Sequence, residues 1–444
     1  MTRQMAFLLL GVLAGDCSTS TATLASIKST PLGKHISQRH HERFGELSTF
    51  LKVPWQPDSS QATVVTLTDD HIGRDHTIRP DVIRKLLLLK TLSGISLRNT
   101  SVTSITELTP LAHRLRFLDL YGTPIDDTTI QPIAGFTKLK ALDLGVTRVT
   151  SVGLLALNQL AQLRVLDLSG RRILDQSVVA LRPLRQLQHL SLSGTRITDS
   201  GITQLASLTH LRALSLSGTR IQGNSLGNLS KLSELILLDL SDTDISGDSL
   251  AHLSGVRSLQ ALHLENCPLI VDSSTVHLAQ FQSLRGLVLR KTGFEKKSIT
   301  GIGLTQLAKI STLEHLNLNA TRLQDKSLIP LGQLKNLRSL DLGLTAITNA
   351  GLAHIATLPH LERLTLMSQV GFGGTRVTAA GLKYLVGHPT LRYLDLTGTQ
   401  LDDDDLPALH ALGTLRRLTI SGTAITQQGS ANLARQLPHC QIVH

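Results

Sequence analysis

The sequence predicts an α/β solenoid with a parallel concave sheet and short convex helices, and three observations support this fold class. A leucine frame, L-x-x-L-x-L-x-x-T-x-I, recurs with a step of 24 residues through most of the 444-residue chain. A fixed period in this range is typical of stacked coils that bury a core only together. Within each coil, alternating leucines indicate a strand, and apolar residues at helical spacing follow it. Aromatic residues make up only 3% of the chain, so leucine must fill the core.

The strand leucines define about sixteen units between residues 61 and 444. Extending the 24-residue step outward places the strands around these residues: Leu67, Leu97, Leu120, Leu144, Leu168, Leu192, Leu216, Leu240, Leu264, Leu289, Leu318, Leu342, Leu366, Leu396, Ile420 and Ile442. The first and last units are imperfect, as expected for repeats that cap an open core. Residues two dozen apart should therefore be neighbours along the sheet.

One repeat illustrates the expected coil. Leu190 and Leu192 should point inward from a short strand while Ser191 points outward, because successive strand side chains alternate. Thr198 or Asp199 is placed to cap the helix that follows, since its side-chain oxygen can accept a hydrogen bond from an unpaired backbone N–H. The helix then returns its apolar side to the strand, and the next repeat covers what remains exposed.

Polar and sulfur-containing side chains also follow the period. Thr195 belongs to a column of threonines whose hydroxyls can satisfy backbone groups of the inward-turned loops. Cys267 occupies that column, and Cys440 occupies a leucine position of the last strand. With Cys17 they are the three cysteines of the chain, and their spacing indicates neither a metal site nor a disulfide framework. Cys267 and Cys440 are predicted to be small core residues.

The amino terminus is predicted to be a signal peptide over residues 1–16, followed by a linker and flanking segment over residues 17–60. An apolar run extends from Met5 to Ala14, and small residues allow cleavage after Ala14. Asp16 stands where a small residue should precede a lipidated cysteine, which argues against lipidation of Cys17. The run is too short to span a bilayer. The alternative is a mobile apolar tail on a protein that is not exported.

The repeats resemble the ribonuclease-inhibitor-like class of leucine-rich repeats, in particular bacterial proteins with the pattern L-x-x-L-x-L-x-x-T-x-I-T-D-x-G-L. The segments "LSLSGTRITDSGI" and "LDLGLTAITNAGL" carry this resemblance, and "LARQLPHCQIVH" is similar to the closing segment of such arrays. The resemblance implies a leucine-rich repeat horseshoe that binds proteins. Some relatives are secreted, some are effectors delivered to host cells, and some follow an F-box that recruits ubiquitin ligase machinery. Residues 20–60 lack a convincing F-box pattern.

Charge and motifs narrow the function to binding. The net charge of +11 and the isoelectric point of about 9.8 favour an acidic partner. No motif for specific nucleic-acid binding, for a cofactor or for catalysis is found, so the chain is predicted not to be an enzyme. Asp402 to Asp405 are interpreted as a helix start and not as a calcium site. The leading hypothesis is an exported protein-binding scaffold in the cell envelope or secreted. The alternatives are an intracellular or host-delivered adaptor and a structural envelope protein.

Two charged columns are the first candidate binding residues. Arg148, Arg172, Arg196 and Arg220 follow the threonine in four consecutive repeats and form what we call the arginine stripe. Asp119, Asp143 and Asp167 stand between the strand leucines. The stripe is either paired internally, through Asp175 and Asp199 three residues beyond two of its members, or an anion-binding surface. Arg171 replaces a column threonine, and its loop should open because an unpaired arginine is costly to bury.

Two insertions are the second candidate. The repeats beginning at Leu289 and Leu366 exceed the 24-residue step by several residues, and the added segments contain Phe294 and Phe372. Arg290 and Lys291 lie at the start of the first insertion. Insertions in a solenoid map to loops on one face, often the binding face. The two segments are interpreted either as partner-binding loops or as tolerated insertions.

Overall fold

The computed structural model describes residues 28–31, 63–293, 298–369 and 373–444. It confirms the predicted fold class: an open, leucine-rich repeat sheet of seventeen strands, in which β1 is antiparallel to its neighbour and the other sixteen are parallel. A separate two-stranded hairpin accompanies the sheet.

The strands are short and regularly spaced. Their bounds are β1 Lys28–Pro31, β2 Thr63–Thr66, β3 Leu92–Ser96, β4 Phe117–Asp119, β5 Ala141–Asp143, β6 Val165–Asp167, β7 His189–Ser191, β8 Ala213–Ser215, β9 Leu237–Asp239, β10 Ala261–His263, β11 Gly286–Val288, β12 His315–Asn317, β13 Ser339–Asp341, β14 Arg363–Thr365, β15 Ser368–Gln369, β16 Gly373–Gly374, β17 Tyr393–Asp395, β18 Arg417–Thr419 and β19 Gln441–Val443. The hairpin is formed by β15 and β16.

The return segments of the coils are a mixture of α-helix and 3-10 helix. The α-helices are α1 Pro80–Leu88, α2 Asp175–Val179, α3 Asp199–Leu205, α4 Thr275–Leu278, α5 Gly301–Leu307, α6 Asn349–Ile355, α7 Ala379–Leu382, α8 Leu406–His410 and α9 Gln427–Gln436. The 3-10 helices are Asp69–His71, Thr106–Leu111, Gln131–Gly135, Gly153–Gln159, Leu226–Lys231, Asp248–Gly255, Asp272–Ser274, Asp325–Gln333, Lys383–Leu385 and Asp403–Asp405.

The 3-10 segments refine the expectation of short convex helices. Two of them contain an internal proline, Pro110 and Pro330, which lacks the backbone N–H that an α-helix requires, and a third contains Pro132 in its first turn. The return segment of a 24-residue coil is also short, and the tighter 3-10 turn is favoured in short pieces. The convex side is therefore built from brief turns whose stability comes from packing on the core.

The leucine core runs without interruption along the solenoid. Leu142 pairs in register with Leu118 on one side and Leu166 on the other, so residues 24 apart are adjacent, as the sequence predicts. The buried leucines and isoleucines from Val65 to Cys440 form one continuous cluster. Stacking buries the apolar side of every coil, and a single coil could not do so alone.

A carboxylate clamp links several of the coils to the next one. Asp175 accepts hydrogen bonds from the backbone N–H of Thr198 at 2.8 Å and from its hydroxyl at 2.6 Å. The same clamp recurs at Asp127, Asp272, Asp325 and Asp403. A Cβ on Gly201 would lie 2.5 Å from the Asp175 carboxylate, so the glycine of the T-D-x-G motif provides room for the clamp. Thr198 also caps α3 through the N–H of Ser200, as predicted.

The threonine column stabilises the inner loops. The hydroxyl of Thr195 donates to the carbonyl of Leu192 at 2.6 Å, and other column threonines make the equivalent bond within their own repeat. Cys267 is fully buried in this column and Cys440 is buried near the end, so both are core residues as predicted. Burial raises the pKa of the Cys267 thiol to about 11. This thiol is therefore protonated at neutral pH and unreactive.

At the amino-terminal edge, β1 pairs antiparallel with β2. β1 lies within the segment predicted as a linker, and the repeat frame does not predict this strand. The predicted signal peptide over residues 1–16 lies outside the described residues, and the domain boundaries stay predictions. No helix in the described part of the chain is long and apolar enough to cross a membrane. Within the same residues, no group of three or more potential metal ligands comes together.

Candidate functional site

The arginine stripe lies on the rim of the solenoid, just beyond the strands. The backbone N–H groups of Arg148, Arg196 and Arg220 each donate to an isoleucine carbonyl of the preceding repeat at 2.8–3.0 Å. All four stripe side chains are exposed. Because neighbouring strands are about 4.8 Å apart, the backbones of Arg196 and Arg220 are separated by about that interval, and those of Arg148 and Arg196 by about twice as much. The repeat period of the sequence therefore places exposed arginines in a row along the rim.

The internal pairing proposed for this row is wrong. Asp175 accepts its hydrogen bonds from Thr198, and Asp199 accepts from the backbone N–H groups of Gln222, Gly223 and Ser225. These carboxylates accept hydrogen bonds from the next repeat and do not lie between the arginines. Among the described residues, no carboxylate lies within 4.0 Å of a stripe guanidinium. The stripe is therefore available to an external anion.

A shallow groove of 780 Å³ runs beside the first half of the stripe. Its floor is made of serine and glycine residues from successive loops, and Arg148, Arg171 and Arg172 line it. Arg171 is exposed. Gly170 in the same loop has a φ of 119°, compared with 67° at Gly194, so this loop departs from the others. Small floor residues let a ligand backbone approach while arginines surround it.

Two apolar side chains in this groove were missed from the sequence. Val146 is 53% exposed and has a φ of 57°, a left-handed conformation that is costly for a β-branched residue. Gly122, Gly194 and Gly218 occupy the equivalent position in nearby repeats. Tyr121 lines the same groove, and the Arg98 guanidinium lies 3.7 Å from its ring centroid. A β-branched residue among the glycines of the neighbouring repeats was the available signal, although other non-glycine residues, such as Asn99 and Leu344, occupy the same left-handed position elsewhere along the chain.

The predicted aspartate column lies on the concave side of the sheet and is buried. Asp119, Asp143 and Asp167 are at most 2% exposed. Each accepts a hydrogen bond from the backbone N–H two residues further on, at 2.8–3.1 Å. Asp143 also lies 3.6 Å from the Arg98 guanidinium. These carboxylates hold the strand-to-loop turns, and their role in partner binding stays a prediction.

The concave side differs between the two halves of the solenoid. From β3 to β11 every strand residue is buried, including those that point away from the leucine core. Two apolar clusters lie there, separate from the main core: Val64, Phe117, Ala141 and Val165, and then Ala213, Leu237, Ala261 and Val288. From β12 onward the outward residues are partly or fully exposed.

The exposed half contains a second surface that the sequence columns did not reveal. Arg363, Tyr393 and Arg417 are register partners on β14, β17 and β18 and line a cleft of 300 Å³. Their shared position, directly before a strand leucine, was the signal. In the amino-terminal half the same position holds glycine, alanine, valine, leucine, phenylalanine or histidine.

The structure describes only some of the predicted insertion residues. Arg290 is exposed, and its guanidinium lies 3.1 Å from the Glu265 carboxylate. Lys291 is exposed in the left-handed column with a φ of 56°. Phe294 and Phe372 lie outside the described residues. The second insertion is bordered by the paired strands β15 and β16.

Comparison with family models identifies the class of protein. A model described as a leucine-rich repeat region matches residues 112–385, and a leucine-rich repeat model matches residues 387–409. The first match covers more than half of the chain, so the chain belongs to the leucine-rich repeat family. Proteins of this family are generally non-catalytic scaffolds typical of protein binding. A comparison with curated protein sequences finds no match.

Solved structures support the fold at low sequence identity. A leucine-rich repeat protein of Leptospira interrogans is 17% identical with a TM-score of 0.52, covering 85% of this chain and 95% of that one. The receptor in a TLR13–ssRNA13 complex is 19% identical with a TM-score of 0.55, covering 87% of this chain and 66% of that one. An internalin of Listeria monocytogenes is 22% identical with a TM-score of 0.47, covering 82% of this chain and 92% of that one. At these identities, the similarity to the first two structures indicates fold and not function.

Proposed function

We propose that this protein is a non-catalytic scaffold that binds an acidic segment of another protein along the arginine stripe and its groove. The observation that carries the proposal is the row of four exposed arginines without a carboxylate partner among the described residues. The exposed cations of most surfaces are dispersed, whereas the backbone of this row is fixed by the repeat. The proposal therefore rests on position as well as on charge.

Electrostatics favours an anionic partner at this surface. Guanidinium groups stacked at about 4.8 Å repel one another, and an anion between them relieves that repulsion. Arginine presents a planar fork that binds carboxylates through two parallel hydrogen bonds, so it suits aspartate and glutamate side chains. The isoelectric point of about 9.8 supports attraction of an acidic partner over longer distances.

The groove adds an apolar contact to the charged one. Val146 keeps a strained conformation while half of its side chain faces solvent, and Tyr121 is held beside it by Arg98. Tyrosine and arginine are enriched among residues that dominate binding energy. We propose an acidic segment with at least one apolar side chain. Arg290 and Lys291 at the first insertion extend the basic surface toward the same partner.

Affinity capture with a charge-matched control tests the proposal. The stripe variant carries Arg148, Arg172, Arg196 and Arg220 changed to serine. The control carries four exposed basic residues outside the groove changed to serine: Arg257, Lys309, Lys335 and Arg435. We expect the stripe variant to lose the captured partner and its salt dependence, while the control retains both. Equal recovery with the two variants would contradict the proposal.

The insertion residues are tested in the same format. A variant with Arg290 and Lys291 changed to serine should reduce partner recovery less than the stripe variant. If neither the stripe nor the insertion variant alters any interaction, a structural role in the envelope is favoured instead.

We also propose that the protein is exported, to the cell envelope or the medium. The support is the charged start, the apolar run from Met5 to Ala14 and the small residues that allow cleavage after Ala14. Mass spectrometry of the amino terminus of the protein made in its own host tests this. A terminus after Ala14 or a nearby residue is expected. An intact segment from Met1 to Ala14 would overturn export and favour an adaptor that acts inside a cell.

A further inference from the structure

A ladder of alternating arginine and glutamate side chains runs along the carboxyl-terminal half of the solenoid, and its members pair with one another. Arg285 lies 2.6 Å from Glu314, and Arg338 lies 3.7 Å from the same carboxylate. Arg338 also pairs with Glu362 of the next repeat. Each of these two carboxylates therefore has an arginine partner from a neighbouring coil. An incoming anion would have to displace an existing pair to bind here.

The next column on the same strands has no such compensation. Arg363 and Arg417 are exposed, and neither guanidinium has a carboxylate within 4.0 Å among the described residues. Asp395 is the nearby acid in the cleft, but it accepts hydrogen bonds from the N–H and hydroxyl of Thr397 at 2.9 and 2.6 Å. The two arginines consequently give this end of the concave face an excess of positive charge.

Tyr393 joins the two arginines into one surface. It is 40% exposed and is the register partner of both. The Arg363 guanidinium lies 4.7 Å from its ring centroid, a distance at which a cation is attracted to the aromatic ring. The three side chains border a cleft of 300 Å³ between Thr365 and Thr419. An aromatic ring between two cations offers an apolar contact flanked by two charged ones.

We infer that this cleft, which we call the Arg–Tyr–Arg cleft, binds an extended acidic peptide segment that crosses the strands. The backbones of Arg363 and Arg417 are two strand spacings apart, about 9.6 Å. Three residues of a chain in the extended polyproline II conformation span about 9.3 Å and return the side chain to the same side. Two acidic side chains three residues apart in that conformation therefore match the two arginines, and a side chain between them can contact Tyr393.

This inference is independent of the arginine stripe. The stripe follows β5 to β8 on the rim, whereas the Arg–Tyr–Arg cleft lies on β14, β17 and β18. The concave strands between them are largely buried or carry the self-paired ladder. One partner could contact both surfaces, but each surface has its own residues and its own test.

A peptide titration tests the inference on the full chain. The probe is a fluorescent peptide with two glutamates three residues apart and a leucine between them. The comparison peptide has glutamines in place of the glutamates. We expect the acidic peptide to bind more tightly than the glutamine peptide, and its binding to weaken as salt is added. Arg363→Ser and Arg417→Ser should each reduce affinity about tenfold, as expected for a charged hot-spot contact.

Three further variants make the result specific. Tyr393→Phe should retain binding, whereas Tyr393→Ser should weaken it, because the ring and not the hydroxyl provides the contact. Arg435→Ser, with the same loss of charge on α9, should leave binding unchanged. The four-arginine stripe variant should also bind the peptide normally, which separates this inference from the proposed function. Equal binding of the two peptides, equal effects of Arg417→Ser and Arg435→Ser, or preference for a single-stranded RNA of the same length would overturn the inference.

Discussion

The concave face of this solenoid is used differently in its two halves. Around Phe117 and Leu237 the outward strand residues are buried in apolar clusters of their own. Around Tyr393 and Arg417 the residues at the same position are exposed. The backbone pairing is equally regular in both halves. A uniform backbone therefore presents two different surfaces.

This difference indicates where binding surfaces lie along the chain. In the amino-terminal half the outward strand side chains are withdrawn from solvent, and the free cations are displaced to the rim at Arg148 and Arg172. In the carboxyl-terminal half the free cations stand on the strands themselves, at Arg363 and Arg417. The candidate binding surface therefore shifts from the rim to the concave face along the solenoid.

The largest predicted effect compares two aromatic residues at the same repeat position. Phe117→Ala should lower the free energy of unfolding by about 3–4 kcal/mol, because it leaves a cavity in a buried cluster. Tyr393→Ala should cost less than about 1 kcal/mol, because an exposed side chain leaves no comparable cavity. Chemical denaturation of the two variants measures both values. Similar losses in the two variants would remove the distinction between the halves.

A smaller difference is expected for two aspartates at equivalent positions. Asp239 is buried and accepts from the Ser215 hydroxyl at 2.9 Å and from the Ser241 N–H at 3.0 Å. Asp239→Ala should cost about 2 kcal/mol, since these donors lose their acceptor away from water. Asp395→Ala should cost about 1 kcal/mol, because water can reach its partly exposed donors. Thermal unfolding of both variants under one buffer condition is the measurement, and an inverted order would contradict the assignment.

The halves should also differ in their response to acid. Burial lowers the pKa of His315 on β12 to about 4, and burial also lowers the pKa of His388. The His388 Nε2–H donates to the Leu358 carbonyl and Nδ1 accepts from the Leu391 N–H, so the neutral ring is satisfied. The unfolded chain takes up protons near pH 6.5 and the folded chain does not, so stability should fall from about pH 6.5 toward pH 4.

A carboxylate in the amino-terminal half should affect the stability of the fold in a lower pH range. Hydrogen bonds from Thr128 and Thr129 lower the pKa of Asp126 to about 2. Stability from this carboxylate is present above its unfolded value of 3.8 and is lost as pH falls toward 2. Unfolding curves between pH 7 and pH 2 should show that His388→Gln reduces the slope above pH 4, whereas Asp126→Asn changes it only below. An unchanged slope in His388→Gln would exclude the histidine as a source.

The smallest stability effect is predicted at the rim groove. In Val146→Gly the relief of left-handed strain and the added backbone freedom of glycine oppose each other, so the unfolding free energy should change by less than about 0.5 kcal/mol. Partner recovery should nevertheless fall, because the groove loses its exposed apolar side chain. If Val146→Gly raises the free energy of unfolding by more than about 1 kcal/mol and keeps full binding, the valine contributes neither to stability nor to partner binding.

The period of the sequence was sufficient to predict the strand register, the buried cysteines and the exposure of the arginine stripe. It was not sufficient for the partner of Asp175, since proximity in sequence to Arg172 suggested an ion pair and the loop geometry brings Thr198 closer. It also could not distinguish Phe117 from Tyr393, because the two share one position in the repeat and differ only in what surrounds them. Repetition specifies the backbone, while burial and loop detail depend on neighbours outside the frame.

The carboxylate clamp gives the stack a direction. Asp175 stabilises the coil that follows it, and Asp325 does the same for Thr348, so in each clamp the acceptor is supplied from the amino-terminal side. A fragment that begins at an internal coil lacks the acceptor for its first helix start, whereas a fragment that ends at one merely carries an idle aspartate. Nucleated assembly should therefore extend more readily toward the carboxyl terminus, and shortening the protein from its two ends should have unequal consequences.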